Sequence, residues 1–125
     1  MRKAFISARF RHPDKAVIEQ NIAKAIEYGE LLCGMVNHTE AVVVHPMIRD
    51  KWGIDVANVH GGPIDKEIVD FNFGLLAKCD ILYACGDDIS HGMQEEIDFC
   101  IQNGIPVVRV LPDFFLVAKE ILKHQ

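Results

Sequence analysis

Between two apolar runs, Asp80-Ile81-Leu82-Tyr83-Ala84-Cys85 and Ile105-Pro106-Val107-Val108-Arg109-Val110, this chain carries a polar stretch, GDDISHGMQEEIDFCIQNG, from Gly86 to Gly104. It brings Ser90, Gly92, Glu95 and Glu96 to the start of a helix. A carboxylate there, beside serine and glycine, can attack an anomeric carbon and stabilise an oxocarbenium-like transition state, which is nucleophilic glycosyl chemistry. A surface glutamate favoured by the helix dipole would show the same spacing. Of the acidic pair, Glu96 borders the apolar face marked by Met93 and Cys100, and Glu95 is turned about 100° away, toward solvent. Ser90 has the type of an N-cap, and Gly92 would let backbone approach an anion closely. Arg9 and Arg11, after the first apolar run (KAFIS), have the chemistry to clamp a phosphate or carboxylate, although loop arginines are commonly just solvated.

Other chemistries lose their support. The six histidines show no HxxxH or HxH spacing and no neighbouring cysteine pair, so no metal is expected. GxGxxG, GxxxxGK[ST] and GxSxG are absent, which removes the main signal for a dinucleotide cofactor, a P-loop or a serine hydrolase. His45 and His91 each carry an imidazole able to donate a hydrogen bond or shuttle a proton; a simply satisfied histidine is the plainer reading of both.

The elements that must position these residues follow from periodicity. Lys3 to Ser7 reads as a first strand, and a helix from Pro13 or Asp14 to about Cys33 carries Ile18, Ile22, Ala25, Ile26, Gly29 and Leu32 on one stripe. Ala41 to His45, bounded by Pro46, predicts a buried parallel strand. Met47 to Gly62 has no consistent period and is predicted to be a lid or specificity loop. Pro63 opens a helix with Ile64, Ile68, Phe71, Leu75 and Leu76 on its core side and Asn72 beside that stripe. The next helix buries Met93, Ile97, Cys100 and Ile101. A closing helix from Asp113 buries Phe114, Ala118, Ile121 and Leu122. Strands alternating with helices predict an α/β fold: a flavodoxin- or Rossmann-like three-layer sandwich around a four- to five-stranded parallel sheet. In such sheets ligands sit at the carboxyl ends of the strands, where this chain gathers its small, polar and acidic residues.

The 125 residues predict one domain, 1–125. Half of them are hydrophobic, and the net charge of −5 argues against a partner that is duplex nucleic acid. No apolar run reaches the roughly 18 to 20 residues of a membrane span. The four cysteines (Cys33, Cys79, Cys85, Cys100) lack paired spacing and read as reduced, which predicts a cytoplasmic protein.

Three segments together carry a family resemblance: Asn72-Phe73-Gly74-Leu75-Leu76-Ala77-Lys78-Cys79-Asp80, Ser90-His91-Gly92-Met93-Gln94-Glu95-Glu96, and Asn103-Gly104-Ile105-Pro106-Val107. With the opening Phe5-Ile6-Ser7-Ala8-Arg9-Phe10, they resemble the nucleoside 2-deoxyribosyltransferase-like superfamily over nearly the whole chain. The likeness is greatest to small bacterial and phage members with an S-x-G-M-x-x-E helix start and to 2′-deoxynucleoside 5′-monophosphate N-glycosidases. The resemblance implies that Glu96 is the nucleophile on C1′ and that Ser90, where the transferases have aspartate, holds a 5′-phosphate. It further implies that Ser7, Arg9, Arg11, His91, Gly92 and Met93 line the substrate or phosphate site. The family's second acid matches Asn72, which can orient a sugar hydroxyl but cannot take a proton; Asp70 or Glu67 would substitute only with the helix rotated. A homo-oligomer, a dimer or larger, is implied as well.

The expected function is therefore that of an N-glycosidase or deoxyribosyltransferase acting on a nucleoside or nucleoside 5′-monophosphate, without a cofactor. Two rivals stand beside it: a catalytically inactive nucleotide-sensing or sequestering protein of the same fold, and a structural α/β module with partners at the Phe114 and Phe115 end.

Overall fold

A computed structural model describes residues 2–36, 40–57 and 65–124. The chain alternates β1 (Lys3–Ser7), α1 (Lys15–Val36), β2 (Glu40–Val42), α2 (Val44–Trp52), a 3-10 turn (Ile54–Val56), α3 (Lys66–Leu76), β3 (Ile81–Cys85), α4 (His91–Asn103), β4 (Val107–Val110) and α5 (Pro112–Lys123). The four strands form one parallel sheet in the order β2-β1-β3-β4. This is the three-layer α/β architecture of flavodoxin- and Rossmann-like folds. None of the described helices is long and apolar enough to cross a membrane.

Both faces of the sheet are covered, so strand residues of both parities are buried. Ala4, Ile6, Tyr83, Cys85 and Val110 pack with Ala25, Tyr28 and Leu32 of α1 and Phe115 and Ala118 of α5. On the other face Phe5, Val42, Leu82 and Ala84 pack with Val44 and Ile48 of α2, Ile68 and Leu76 of α3, and Met93 and Cys100 of α4. From the central pair β1 and β3 the chain leaves in opposite directions, to β2 through α1 and to β4 through α4. Crossovers of one hand then put those two helices on opposite faces. The carboxyl ends of β1 and β3 thereby become the switch point of the sheet, where open α/β folds bind ligands.

Several boundaries differ from those predicted. The second strand ends at Val42, and Val44 and His45 belong to α2. Pro46 is a first-turn residue of that helix, where a missing N–H costs nothing, and does not mark the end of a strand. Met47 to Trp52, expected as loop, is therefore helical, and Ile54–Val56 of the same expected lid forms the 3-10 turn; its last residues, 58–62, lie outside the described residues, as do Pro63 and Ile64. In α3 the N-cap is Asp65, whose side chain accepts from the Glu67 N–H at 2.8 Å. Ile26 of α1, Ile101 of α4 and Phe114 and Ile121 of α5 are exposed rather than core, and Phe115 takes the buried place on α5. Nothing is described of the side chain of Leu122.

Candidate active site

The β3–α4 connection bends at Gly86 (φ +110°) and ends in Ser90, the N-cap of α4. The Ser90 Oγ accepts the Met93 N–H at 3.2 Å, so one orphan donor of the helix start is satisfied by the expected residue. From this start the helix buries Met93, Glu96 and Cys100 along one stripe. Two of the three are apolar; the third is a carboxylic acid, 8% exposed, inside the molecule.

Two side chains from other elements meet that acid. Ser7, the last residue of β1 and completely buried, donates its hydroxyl to Glu96 Oε1 at 2.7 Å. Asn72, half-buried on α3, donates Nδ2–H to Glu96 Oε2 at 2.8 Å. Burial disfavours the charged form and pushes the Glu96 carboxyl from 4.5 up to about 7, against the two hydrogen bonds, which favour the anion; the nearby charge of Glu95 adds to the rise. A carboxyl poised near neutrality in a strand-end site has the profile of a catalytic group.

The other expected site residues divide. Arg9 turns across the switch point to Asp88, Nη2 to Oδ2 at 2.6 Å, with both side chains about half exposed or more. Arg11 is half-buried. His91, exposed, pairs with Glu95 at 2.8 Å, so neither points into the core. At Gly92 an added Cβ would meet open space, which leaves room beside the helix start. The Met93 side chain is 1% exposed and belongs to the core. Asp70 is held by Lys66 at 3.2 Å on the outer side of α3; the helix is not rotated to bring it to Glu96.

Three further residues contact the β1 and β3 exit loops: His45, already singled out in the sequence for its imidazole, and Arg109 and Asn21, which were not. His45 is buried in the first turn of α2, stacked on Phe10 with ring centroids 4.5 Å apart, and its Nδ1 has no hydrogen-bond partner among the described residues. Burial lowers its pKa to about 4, so the ring is neutral. The Pro46 that marks the helix start was the available clue. Arg109 of β4 donates to the carbonyls of Ala84 at 2.7 Å and Gly86 at 2.9 Å, fixing the β3 exit loop. Asn21 of α1 holds the β1 exit loop through the Phe10 carbonyl at 3.2 Å. No motif announces either. Between these two loops, on the α1 and α5 side, opens a cavity of about 250 Å³ lined by Arg9, Lys24, Tyr28, Asp87 and Asp88 among others. Glu96 does not line it, for it stands on the α3 and α4 side of the same sheet edge. Among the described residues no group of acids, histidines and cysteines is arranged to hold a metal.

Residues 2–110 match the model of a family described only as a domain of unknown function, DUF7768. The chain belongs to that family. No curated protein and no solved structure matches the chain.

Proposed function

We propose that this protein cleaves the N-glycosidic bond of a nucleoside or nucleoside 5′-monophosphate, with Glu96 as nucleophile. The observation that carries the reading is the buried Glu96 carboxyl held between Ser7 and Asn72 at the carboxyl ends of the strands. The resemblance to nucleoside 2-deoxyribosyltransferase-like proteins supplies the substrate class. Glu96 in its anionic form attacks C1′; the bond to the base breaks, and its electron pair leaves with the base, which takes a proton from solvent. The resulting glycosyl ester is released by water in a hydrolase or by a second base in a transferase. Ser7 and Asn72 hold the carboxylate in line, since each oxygen already has one donor and keeps lone pairs for the sugar. Arg9 and the α4 start face the phosphate. The four free thiols, three of them buried, suit a reducing compartment, and we read the enzyme as cytoplasmic.

Asn72, where the resembling enzymes carry an acid, favours a second reading: a nucleotide-binding protein that retains the pocket and lacks turnover. Incubation with a panel of nucleosides and 5′-monophosphates, followed by chromatography of free base, separates the two. Base released by the wild type and lost at least 1,000-fold in Glu96→Ala supports catalysis, on the order expected for a missing nucleophile. Binding without release supports the sensor. If no member of the panel is cleaved or raises the melting temperature, both readings fail.

A further inference from the structure

β4 is the terminal strand of the sheet, and among the described residues no strand meets the outward backbone groups of Val107–Val110. Natural edge strands are blunted by shortness, by lysine or proline, or by a bulge. The opposite edge obeys this: β2 has three residues, and its Glu40 reaches Lys3 at 3.8 Å. β4 reads Val-Val-Arg-Val, and its single charge is drawn back onto the carbonyls of Ala84 and Gly86.

Apolar side chains flank this edge in all three layers. Val108 shares the parity of buried Val110, faces the α5 side and is 41% exposed. On α5, Phe115 packs on Tyr28 and Lys119 reaches Glu27, so α1 lies on that side. At about 100° per residue, Phe114, Val117 and Ile121 fall on the flank away from α1, over the β4 edge; all three are about half exposed. On α4, Asn72 meets Glu96 and Phe73 stacks on Phe99, so α3 lies on that side. Ile101 occupies the opposite flank, 69% exposed.

We propose that this edge is covered by the same edge of a second copy, with β4 antiparallel to β4 about a twofold axis normal to the sheet. That axis maps each layer onto itself: strand meets strand, the Phe114-Val117-Ile121 stripe meets its counterpart, and Ile101 meets Ile101. The edge fits its own copy for two reasons. A partner must offer an open strand with apolar helix flanks above and below it, and this chain supplies that arrangement. Self-pairing also sets no unpaired β4 charge against itself, because the Arg109 guanidinium, though exposed, is bound back to the carbonyls of Ala84 and Gly86. The five flanking side chains leave on the order of 400–500 Å² of exposed apolar surface. With the strand backbone this approaches the ~800 Å² that each partner gives to a standard interface.

Light scattering behind size-exclusion chromatography tests the pairing at micromolar concentrations. The wild type is expected at twice the 14.1 kDa chain mass, or a multiple of that dimer. Val108→Lys and Val117→Glu, both at exposed positions, halve the mass with an unchanged circular dichroism spectrum. Leu116→Glu, equally exposed but on the far side of α5, leaves it intact. If either edge variant fails to fold, Ile101→Lys gives the same reading from another helix. A monomeric wild type, or a dimer that survives the edge substitutions, overturns the proposal.

Discussion

A carboxyl that is driven toward its neutral form by burial, and toward its anion by a hydroxyl and an amide, stores a conflict that protonation state resolves. The pKa of Glu96 rises on folding, from 4.5 to about 7. Its contribution to stability is therefore full below the unfolded value and is lost as pH climbs through about 7. At about 1.4 kcal/mol per pH unit the loss is at most about 3 kcal/mol. Glu96→Gln removes the charge and keeps both partners, because the Ser7 hydroxyl can reverse from donor to acceptor. Thermal melts at pH 8 should show this variant several degrees above the wild type, with the gap closing toward pH 5. A variant no more stable at pH 8 would mean that the wild-type carboxylate is well solvated. The same proton governs the proposed reaction. If the anion attacks, kcat/KM rises with pH through a midpoint of about 7; a fall over that range would make Glu96 a general acid instead. Asn72→Ala, which deletes a donor to the anion, should move that midpoint upward.

Among helical elements, two glycines of similar appearance in the sequence have opposite meanings in space. A Cβ on Gly29 of α1 would stand 3.1 Å from Ala41 Cβ and 3.2 Å from Val43 Cγ2, so α1 reaches the β2 end of the sheet only because no side chain intervenes. Gly74 of α3 faces open space. Gly29→Val should cost about 2 kcal/mol by overpacking, and Gly74→Ala should gain up to about 1 kcal/mol from helix propensity; denaturant titrations of both variants check the pair of signs. How legible each element was depended on how local its cause is. The Ser90 cap and the Met93 and Cys100 stripe follow from neighbours within one or two turns, and both are found where the spacing predicted them. The end of β2 does not: Val42, Val43 and Val44 are equally good strand residues, and only Pro46 and the tertiary packing of Ile48 move the boundary. Ile26, Ile101, Phe114 and Ile121 have the spacing of core residues and are exposed for a related reason. Periodicity identifies an apolar stripe but does not say whether a sheet or an empty flank lies under it.

At the scale of the molecule, the order β2-β1-β3-β4 puts Ser7, Arg9, Asp88 and Glu96 within one edge although their sequence positions span most of the chain. That convergence was readable in outline, because alternating strands and helices leave few topologies. The hydrogen bond between Asn72 and Glu96, the Arg9 ion pair and the Arg109 clamp were not, since each joins residues whose separation carries no periodic signal. The matched family region, 2–110, closes at Val110, yet Phe115 and Ala118 beyond it fill the floor beneath β1 and β3. A chain cut after Val110 would keep all four strands and α1 yet open a trench beside Tyr28, so the terminal helix is as much a part of this core as the helices between the strands.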